Sequence, residues 1–328
     1  MRIEIYRQIA RTLAYEIESG VYPVGVEIPS RLELSRRFGV TRATVNRAME
    51  QLEINGLISA RRGAGTVVVS SGVRRRIALV APEWLIQQRP SSESCRVSAL
   101  SYTEALGSRT AIAALARFDG ILWSHPEDLL VSRIVEIMRD IPGALVNRVA
   151  DECNYVTSEL KESFRDAVIS RLEQSPQAVA YLLKNDQGSK YVHRSRDEGF
   201  IDACRTLRRF YEIIHMPGDF AEKRRTLEQI LPANPSAPLC IFADDWSETG
   251  ALIQWVWQHN LAWQRDVFYL DTDNLAHRHV WGLETTSIMQ DFYGMTQTAL
   301  ELLLDSLRHP GKELFQIMLK PTLRRGDT

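Results

Sequence analysis

Residues 28–69 read IPSRLELSRRFGVTRATVNRAMEQLEINGLISARRGAGTVVV, and this stretch decides the fold of the first part of the chain. Ser30 followed three residues later by Glu33 has the spacing of a capping box, which predicts the start of a helix. Gly39 is the residue type that closes a helix in the left-handed conformation. Thr41 is a favourable N-cap for the next helix. The stretch therefore predicts two helices joined by a tight turn.

The apolar residues of these two helices have the spacing of buried faces, and a hairpin follows them. The second helix is expected to run from Arg42 to about Asn55, and residues 57–59 and 66–69 predict two short strands around a glycine-rich tip. The residues expected to be buried are Leu32, Leu34, Phe38 and Val40 in the first helix and turn, and Val45, Ala48, Met49 and Leu52 in the second helix. Helix, turn, helix and hairpin in this order predict a winged helix-turn-helix.

The outer face of the second helix carries residue types that read DNA bases. Arg42, Thr44, Asn46 and Arg47 lie near its N-terminal end, which is the end that meets base edges in the major groove. Arginine pairs with guanine, asparagine with adenine, and threonine can contact a thymine methyl group. In the hairpin, glycines permit close approach to the sugar-phosphate backbone and arginines add charge. The hairpin candidates are Arg61, Arg62, Gly63 and Gly65.

The charge distribution agrees with a DNA-binding first part. Residues 1–76 contain 13 Arg or Lys and 7 Asp or Glu, a net charge of +6, and the remaining residues contain 27 and 34, a net charge of −7. A basic module joined to an acidic one is expected when only one of them meets phosphate.

Residues 3–69 resemble the DNA-binding domain of the GntR family. IYRQIARTLAYEIESGVYPVGVEIPS resembles its first helix and the turn after it, and RFGVTRATVNRAMEQLEINGLI and RRGAGTVV resemble its recognition helix and wing. The family usually has an acidic residue and then Arg where Arg31 and Leu32 stand, and Arg where Asn46 stands. With the cap and turn positions, the resemblance adds Ser30, Arg31 and Thr41 to the candidate DNA-binding residues.

Composition narrows the class of the whole protein. The chain has 328 residues, 45% of them hydrophobic, with no apolar run long enough for a membrane span and no secretion signal at its start, so we expect a cytoplasmic protein. Its four cysteines are far apart and predict reduced, buried thiols. His277 and His279 have no ligand partner at metal-binding spacing. No nucleotide-binding or hydrolase motif is present, so the sequence predicts no enzyme activity, no cofactor and no metal.

From Ile77 onward, short apolar strands alternate with helices, after a linker over 71–76. The linker arginines can contact the DNA backbone or simply be solvated. Such alternation is typical of parallel α/β sheets covered on both faces, and its length predicts two similar lobes. The expected domains are a winged helix-turn-helix over 1–70 and an α/β, two-lobed domain over 77–328.

The segment 77–328 resembles the effector-binding domain of the LacI family, whose fold is like that of periplasmic sugar-binding proteins. Several segments carry the resemblance in the family's order: IPGALVNRVADECNYVTSELKESFRDAVISRLEQ, SRDEGFIDAC, APLCIFADDWSETGALIQWVWQHNL, DVFYLDTDN, TTSIMQDFYGMTQTALELLLDSL and PTLRRGDT. A GntR-type reader joined to a LacI-type sensor is the architecture of arabinose-type repressors. The resemblance implies a homodimer that binds a two-fold symmetric operator and a small-molecule effector, with a sugar as the expected class.

The resemblance also implies ligand contacts. Arg196, three residues before Gly199, matches an arginine that grips sugar hydroxyls or a carboxylate; a buried ion pair is the alternative. Asp271 matches an acidic residue that accepts from sugar hydroxyls. Asp244 follows a strand where the family often has Asn, and a carboxylate there favours a polyol over an anion.

Three ring-bearing residues complete the candidate set of ligand contacts. Phe220 stands where an aromatic often stacks on a sugar, Trp84 offers a second stacking surface, and His125 is expected at the same cleft. Core packing is the alternative for Phe220 and Trp84, and a solvated loop for His125.

The first lobe departs from the family pattern, because only residues 82–118 separate the first strand from DGILW. The helix after the first strand is therefore expected to be truncated or missing. The main prediction is a ligand-responsive transcriptional regulator, with repression the expected sign. One alternative is a constitutive DNA-binding protein whose second domain only dimerises. Another is a fused aminotransferase-like enzyme, which would need a Schiff-base lysine.

Overall fold

The computed structural model describes residues 5–60, 65–70, 75–92, 94–185, 190–274, 282–309 and 311–328. The chain divides into two compact units. The first consists of the chain up to Arg76 together with Ser91–Arg96, and the second consists of Ile77–Pro90 and Val97–Thr328. Within the described ranges, no helix is both long and apolar enough to cross a membrane.

The first unit is a three-helix domain with a two-stranded wing. Its elements are α1 (Ile5–Glu18), α2 (Arg31–Phe38), α3 (Arg42–Ile54), β1 (Ile58–Ala60) and β2 (Thr66–Val68), and the two strands pair antiparallel. The predicted capping box is confirmed, because the Glu33 amide donates to Ser30 Oγ at 3.3 Å and the Ser30 amide donates to Glu33 Oε2 at 2.7 Å. Gly39 has a φ of 63°, as its position in the turn requires.

The three helices bury one shared apolar core. The fully buried members include Leu13 of α1, Leu34 of α2, and Val45 and Leu52 of α3. The prediction that Leu32 points inward is wrong, since this side chain is 41% exposed. Residues two apart on a helix lie about 200° apart around its axis, so Leu32 and Leu34 cannot both face the core.

The second unit contains two lobes, each built on a six-stranded sheet. The first-lobe sheet has the order β13-β7-β6-β5-β3-β4. Its strands are β3 (Arg75–Val80), β4 (Cys95–Leu100), β5 (Gly120–Ser124), β6 (Gly143–Val146), β7 (Tyr155–Ser158) and β13 (Gln316–Leu319). Its helices are α4 (Tyr102–Leu106), α5 (Arg109–Ala114), α6 (Asp128–Met138) and α11 (Phe292–Arg308), and α11 packs on β5, β6 and β7.

The second-lobe sheet has the order β14-β12-β11-β10-β8-β9 and is parallel apart from β14. Its strands are β8 (Val179–Asn185), β9 (Tyr211–Met216), β10 (Leu239–Ala243), β11 (Val267–Thr272), β12 (Thr286–Met289) and β14 (Thr322–Arg324). Its helices are α7 (Leu160–Gln174), α8 (Lys190–Thr206), α9 (Phe220–Ile230) and α10 (Thr249–Gln258). Apolar side chains of the central strands are buried on both faces, which explains their continuous hydrophobic runs.

Among the described residues, three chain segments cross between the lobes: β7 to α7, β12 to α11, and β13 to β14. The expected loss of the helix after β3 is confirmed, because residues 83–88 form only turns before β4. Two helices differ from the ranges that their apolar spacing predicts, which are 196–210 and 246–260. The first of them, α8, runs over Lys190–Thr206. The helix expected from Trp246 begins as a 3₁₀ turn over Trp246–Glu248, and Asp245 caps that turn by accepting from the Ser247 amide at 2.7 Å.

Candidate nucleic-acid interface and interlobe cleft

The exposed face of α3 brings three predicted DNA-binding side chains together. Arg42, Asn46 and Arg47 are all exposed, whereas the opposite face of the helix is buried in the core. Thr41 caps the helix, and its hydroxyl lies 3.0 Å from the hydroxyl of Thr44, which is half-buried. The helix N-terminus adds a positive dipole end, which favours a phosphate nearby.

The start of α2 lies against the wing. The Arg31 guanidinium is 3.5 Å from Thr66 Oγ1 of β2, and Ser30 and Arg31 line one pocket with Gly65 and Thr66. Ser30 is exposed, but its Oγ is engaged as the helix cap. The remaining wing candidates, Arg61, Arg62 and Gly63, lie outside the described residues, as do His277 and His279.

Not every arginine of this unit is available to DNA. Arg37 forms an ion pair with Glu16 of α1, with one N–O distance of 2.9 Å, and also donates to the hydroxyl of Tyr22. The hydrogen bond to Glu16 raises the pKa of Arg37. Arg37 therefore fastens α2 to α1, whereas the arginines of α3 project outward.

Gly65 is needed at the wing because of its backbone conformation. Its φ is +75°, a conformation that costs other residues about 1–2 kcal/mol. A Cβ there would come within 2.8 Å of Glu27 Oε1, which is the end of a flexible side chain and can move aside. Gly65→Ala is therefore expected to lower the free energy of unfolding of the first unit by about 1–2 kcal/mol, measured by urea denaturation. The same loss is expected in a Glu27→Ala background; if it disappears there, the contact and not the backbone is responsible.

In the second unit, polar and aromatic side chains collect where the parallel strands of both lobes end. We call this region the interlobe cleft. It consists of Trp84, His125, Asn147 and Phe292 from the first lobe and Arg196, Asp244, Asp273 and Gln290 from the second. In open α/β sheets the carboxyl ends of the strands are where ligands bind. Gln290 and Phe292 are two residues apart, so they lie within about 7 Å of each other and join the two groups.

Three rings form an aromatic cluster on the first-lobe side. The His125 and Phe292 ring centroids are 4.8 Å apart, and Trp84 lies 5.5 Å from His125 and 5.7 Å from Phe292, all with edge-to-face geometry. Trp84 is 58% exposed, so it retains open ring surface. Burial, reinforced by the charge of Arg148, lowers the pKa of His125 to about 3, so the imidazole is neutral.

An ionic network occupies the second-lobe side. Arg196 is 4% exposed and donates to Asp273 Oδ2 at 3.1 Å and to the carbonyl oxygen of Asp244. The backbone amide of Gln290 donates to Asp273 Oδ1 at 2.8 Å. The Asp244 carboxylate accepts from the Asn185 amide and pairs with His193 Nδ1, both at 2.8 Å. Burial raises the pKa of Asp273 even though Arg196 opposes the rise.

Two residues predicted from the sequence lie apart from this network. Asp271 is fully buried, and its carboxylate accepts from the hydroxyl of Thr249 at 2.8 Å and from the amide of Asn274 at 2.6 Å. Its oxygens are thus occupied inside the lobe, and the carboxylate that meets Arg196 is Asp273. Phe220 begins α9, is 45% exposed and lies beside Gly250 of α10.

Sequence reasoning missed Asn147, Asp273, Gln290 and Phe292. Three cleft residues have a left-handed backbone directly after a strand: His125 at φ 53°, Asn147 at 60° and Asp273 at 57°. Such backbone is uncommon outside glycine and clusters at ligand sites. For Asn147 and Asp273, the available sequence signal was an Asn or Asp directly after an apolar run.

Comparisons with known proteins follow the division into two units. The family model described as bacterial regulatory proteins, gntR family, matches residues 5–68. The Uxu operon regulator of Haemophilus influenzae is 38% identical over 64 residues, which cover 20% of this chain and 24% of that protein. The matched segments span 16%, 24% and 44% of the length of three such curated relatives, so the likeness is confined mainly to the DNA-binding domain.

The second unit has counterparts among solved structures. A regulatory protein of the LacI family from Chloroflexus aggregans superposes with a TM-score of 0.64 at 16% identity and covers 77% of this chain and 98% of its own. A LacI family transcriptional regulator from Enterococcus faecium with bound ribose gives 0.60 at 16% identity, with the same coverage. At this identity the likeness establishes the fold. Residues 5–68 thus form a GntR-type winged helix-turn-helix, and the second unit has the two-lobed, periplasmic-binding-protein-like fold of LacI-family regulators.

Proposed function

We propose that this protein is a transcriptional regulator whose α3 and wing bind an operator and whose interlobe cleft binds a small-molecule effector. The observation that carries the proposal is the combination in one chain of an exposed face with Arg42, Asn46 and Arg47 on α3 and a cleft of polar and aromatic residues at strand ends. Relatives of the first unit are named as regulators, among them a histidine utilization repressor of Pseudomonas putida. We further propose a homodimer on a two-fold symmetric operator, with repression as the basal state.

Base reading is assigned to Arg42, Asn46 and Arg47, with Thr44 beside them. Arg42→Ala is expected to weaken operator binding by about 1–3 kcal/mol if the side chain contacts a base. The measurement is fluorescence anisotropy on a DNA site selected in vitro by the full-length protein. Arg11→Ala, an exposed arginine of α1, is the matched control for the loss of one charge. Equal affinities for the two variants would remove Arg42 from the base-reading set.

The effector proposed for the cleft is a sugar or a related polyol. Trp84 offers an exposed ring face, and rings of this kind pack against the apolar face of a sugar. Asp273, Gln290 and Asn147 supply side-chain oxygens that can accept from hydroxyl groups. Asp273 follows β11 directly and meets Arg196 there, so we assign the acidic ligand contact to Asp273. The Enterococcus faecium neighbour with bound ribose supports a sugar-sized occupant of this fold.

Control of DNA binding would follow from a preference of the effector for one arrangement of the lobes. A ligand that binds one state about 100-fold more tightly than the other supplies about 2.7 kcal/mol of coupling. The three crossing segments are short, so a change in lobe closure is expected to concentrate there. Release of the operator by the effector is the expected sign.

The test uses the full chain in two steps. A thermal-shift screen against pentoses, hexoses, deoxysugars, uronic acids and sugar phosphates identifies a stabilising ligand. Operator affinity is then measured with and without that ligand. A stabiliser that also changes operator affinity supports the proposal. A stabiliser that leaves operator affinity unchanged contradicts effector control.

Two observations favour a constitutive regulator as the second candidate. Arg196 already has an in-chain carboxylate partner in Asp273, and the helix after β3 is absent from the described first lobe. Under this reading the second unit only dimerises, and no compound in the screen would raise the melting temperature. An aminotransferase-like activity has less support, because Lys161, Lys184, Lys223 and Lys312 are held in ion pairs.

A further inference from the structure

A short segment of the first lobe runs from the interlobe cleft to the strand that receives the linker. It extends from Pro82 to Cys95, and we call it the cleft-to-linker segment. Near its start, Trp84 contacts the rings of His125 and Phe292, with centroid distances of 5.5 and 5.7 Å. Because turns stand here in place of the expected helix, the path from the cleft to β4 is short.

The end of this segment holds the residue at which the linker enters the first-lobe sheet. The backbone amide of Arg75, the first residue of β3, donates to the carbonyl oxygen of Ser94 at 3.1 Å. A local turn fixes Ser94, because its amide donates to Ser92 Oγ at 3.3 Å and the two hydroxyl oxygens lie 2.8 Å apart. The linker over 71–76 joins β3 to the winged helix-turn-helix. The contact with Ser94 therefore helps to fix the point at which that linker is attached.

The division of the chain into compact units reflects this contact. Ser91–Arg96 belong to the first unit, whereas the residues on both sides of them, up to Pro90 and from Val97, belong to the second. One continuous segment thus begins among the rings of the cleft and ends among residues that group with the DNA-binding unit.

Hydrogen-bonded turns and buried residues stiffen the part of the segment between its two ends. The amide of Leu85 donates to the carbonyl oxygen of Pro82, and the amide of Gln88 donates to that of Leu85, both at 2.9 Å. Leu85 is 4% exposed, and Pro90 is buried. Proline also has a fixed φ. A displacement of Trp84 is therefore expected to move the residues that follow it instead of being absorbed by a flexible loop.

Trp84 is the part of the segment that a compound in the cleft can reach. Its side chain is 58% exposed, and its contacts with His125 and Phe292 are both edge-to-face. Aromatic pairs depend on this geometry. A compound that packs against the Trp84 ring competes with these contacts and so changes the position of the ring.

We propose that the cleft-to-linker segment carries the state of the interlobe cleft to the DNA-binding unit. Trp84 is the residue that responds to the cleft, and the hydrogen bond between Arg75 and Ser94 is the contact that changes the attachment of the linker. Coupling of this kind travels through contiguous packed and hydrogen-bonded groups. The inference rests on the proposed effector control and adds the route by which that control reaches DNA. It applies to any compound or substitution that moves Trp84.

Hydrogen–deuterium exchange of the full-length protein tests this route without an effector. Trp84→Ala removes both ring contacts at the cleft. The Arg75 amide, resolved by overlapping peptides, is expected to exchange at least about threefold faster in this variant, because its protection depends on Ser94. Trp257→Ala removes a tryptophan that is 46% exposed on α10 of the second lobe. It is the matched control, with no change expected at Arg75.

A second variant tests whether the segment itself transmits the change. Gln87 and Gln88 are both exposed, and Gln87→Gly/Gln88→Gly makes their turn flexible while Trp84 stays in place. In this flexible background, Trp84→Ala is expected to alter the exchange of Arg75 by less than about 1.5-fold, because the two sites are then uncoupled.

The control background is Ala233→Gly/Asn234→Gly, which changes two exposed residues of the loop before β10. Faster exchange of Arg75 in Trp84→Ala that persists in this background and disappears in the flexible one supports the proposal. The proposal is overturned if Trp84→Ala leaves the exchange of Arg75 unchanged, or if its effect survives in the flexible background. It is also overturned if β5 and β6 exchange faster by the same factor, because the lobe as a whole is then destabilised.

These results are independent of the ligand screen. A screen without a stabilising compound contradicts effector binding but leaves the coupling between Trp84 and Arg75 measurable. Unchanged exchange at Arg75 contradicts the route and leaves effector binding in the cleft standing.

Discussion

Arg196→Ala is expected to abolish the response to the effector and to destabilise the second unit by about 3–5 kcal/mol near neutral pH. Arg196 is the positive partner of Asp273, which is largely enclosed, and its removal leaves a buried carboxylate without its counter-charge. Operator binding by the first unit is expected to persist. Urea denaturation and anisotropy on the selected DNA site measure the two effects. Effector-dependent release that survives the substitution would contradict the placement of the ligand in the interlobe cleft.

Arg194→Ala is the matched control, because Arg194 lies on the same helix with a side chain that is 81% exposed. Its ion pair with Glu198 is a surface pair, whose loss is expected to change stability by less than about 1 kcal/mol. Similar losses for the two variants would mean that helix α8, rather than the buried pair, is sensitive to substitution.

The cost of Arg196→Ala should depend on pH in a definite direction. Burial raises the pKa of Asp273, and Arg196 opposes that rise in the native protein. Without Arg196 the folded variant favours the protonated carboxyl more strongly than the unfolded chain does. A group whose folded-state pKa is raised contributes stability at low pH and loses it as the pH rises through that value. The stability gap between wild type and variant is therefore expected to narrow as the pH falls.

Leu52→Ala is expected to lower the stability of the first unit by about 2–5 kcal/mol and to eliminate operator binding at temperatures where that unit then unfolds. Leu52 is fully buried in the core that joins α1, α2 and α3. A domain of this size has a small free energy of unfolding, so one cavity in its core can unfold it. The exposed face of α3 is then lost, although the substituted residue is not part of that face.

Ile54→Ala provides the control for Leu52→Ala on the same helix. Ile54 is 79% exposed, so truncation there is expected to change stability by no more than about 0.5 kcal/mol. Circular dichroism melting and anisotropy are run on both variants. An unchanged melting temperature together with normal operator binding by Leu52→Ala would contradict the shared core.

Some features of the fold follow from local sequence because their causes are local. The capping box at Ser30 and Glu33, the left-handed Gly39 and the Thr41 cap each depend on residues within one turn. The exposed Leu32 shows the limit of this reasoning, since apolar character alone did not say which side of α2 faces the core. In the second unit the strand cores were predictable because central parallel strands are apolar throughout.

The cleft was predictable as a location but not in its individual contacts. Asp244 and His125 each directly follow an apolar strand. The carboxyl ends of strands are where ligands bind in open α/β sheets. Whether Asp271 or Asp273 contacts Arg196 depends on how the chain turns after β11. Asp273 has a left-handed backbone conformation there, and its carboxylate is the one that accepts from Arg196. Phe292 was visible only as the start of a helix, because its contacts with Trp84 and His125 join segments more than 160 residues apart.

The sequence by itself determined the winged helix-turn-helix, the outward face of α3 and the two-lobed α/β class of the rest. These depend on capping, turns and apolar periodicity, which act over a few residues. Only the tertiary structure decided that Asp273 partners Arg196 and that Asp271 is enclosed. Hydrogen bonds and ion pairs act over about 3–4 Å between residues far apart in the chain, so folding had to bring their partners together.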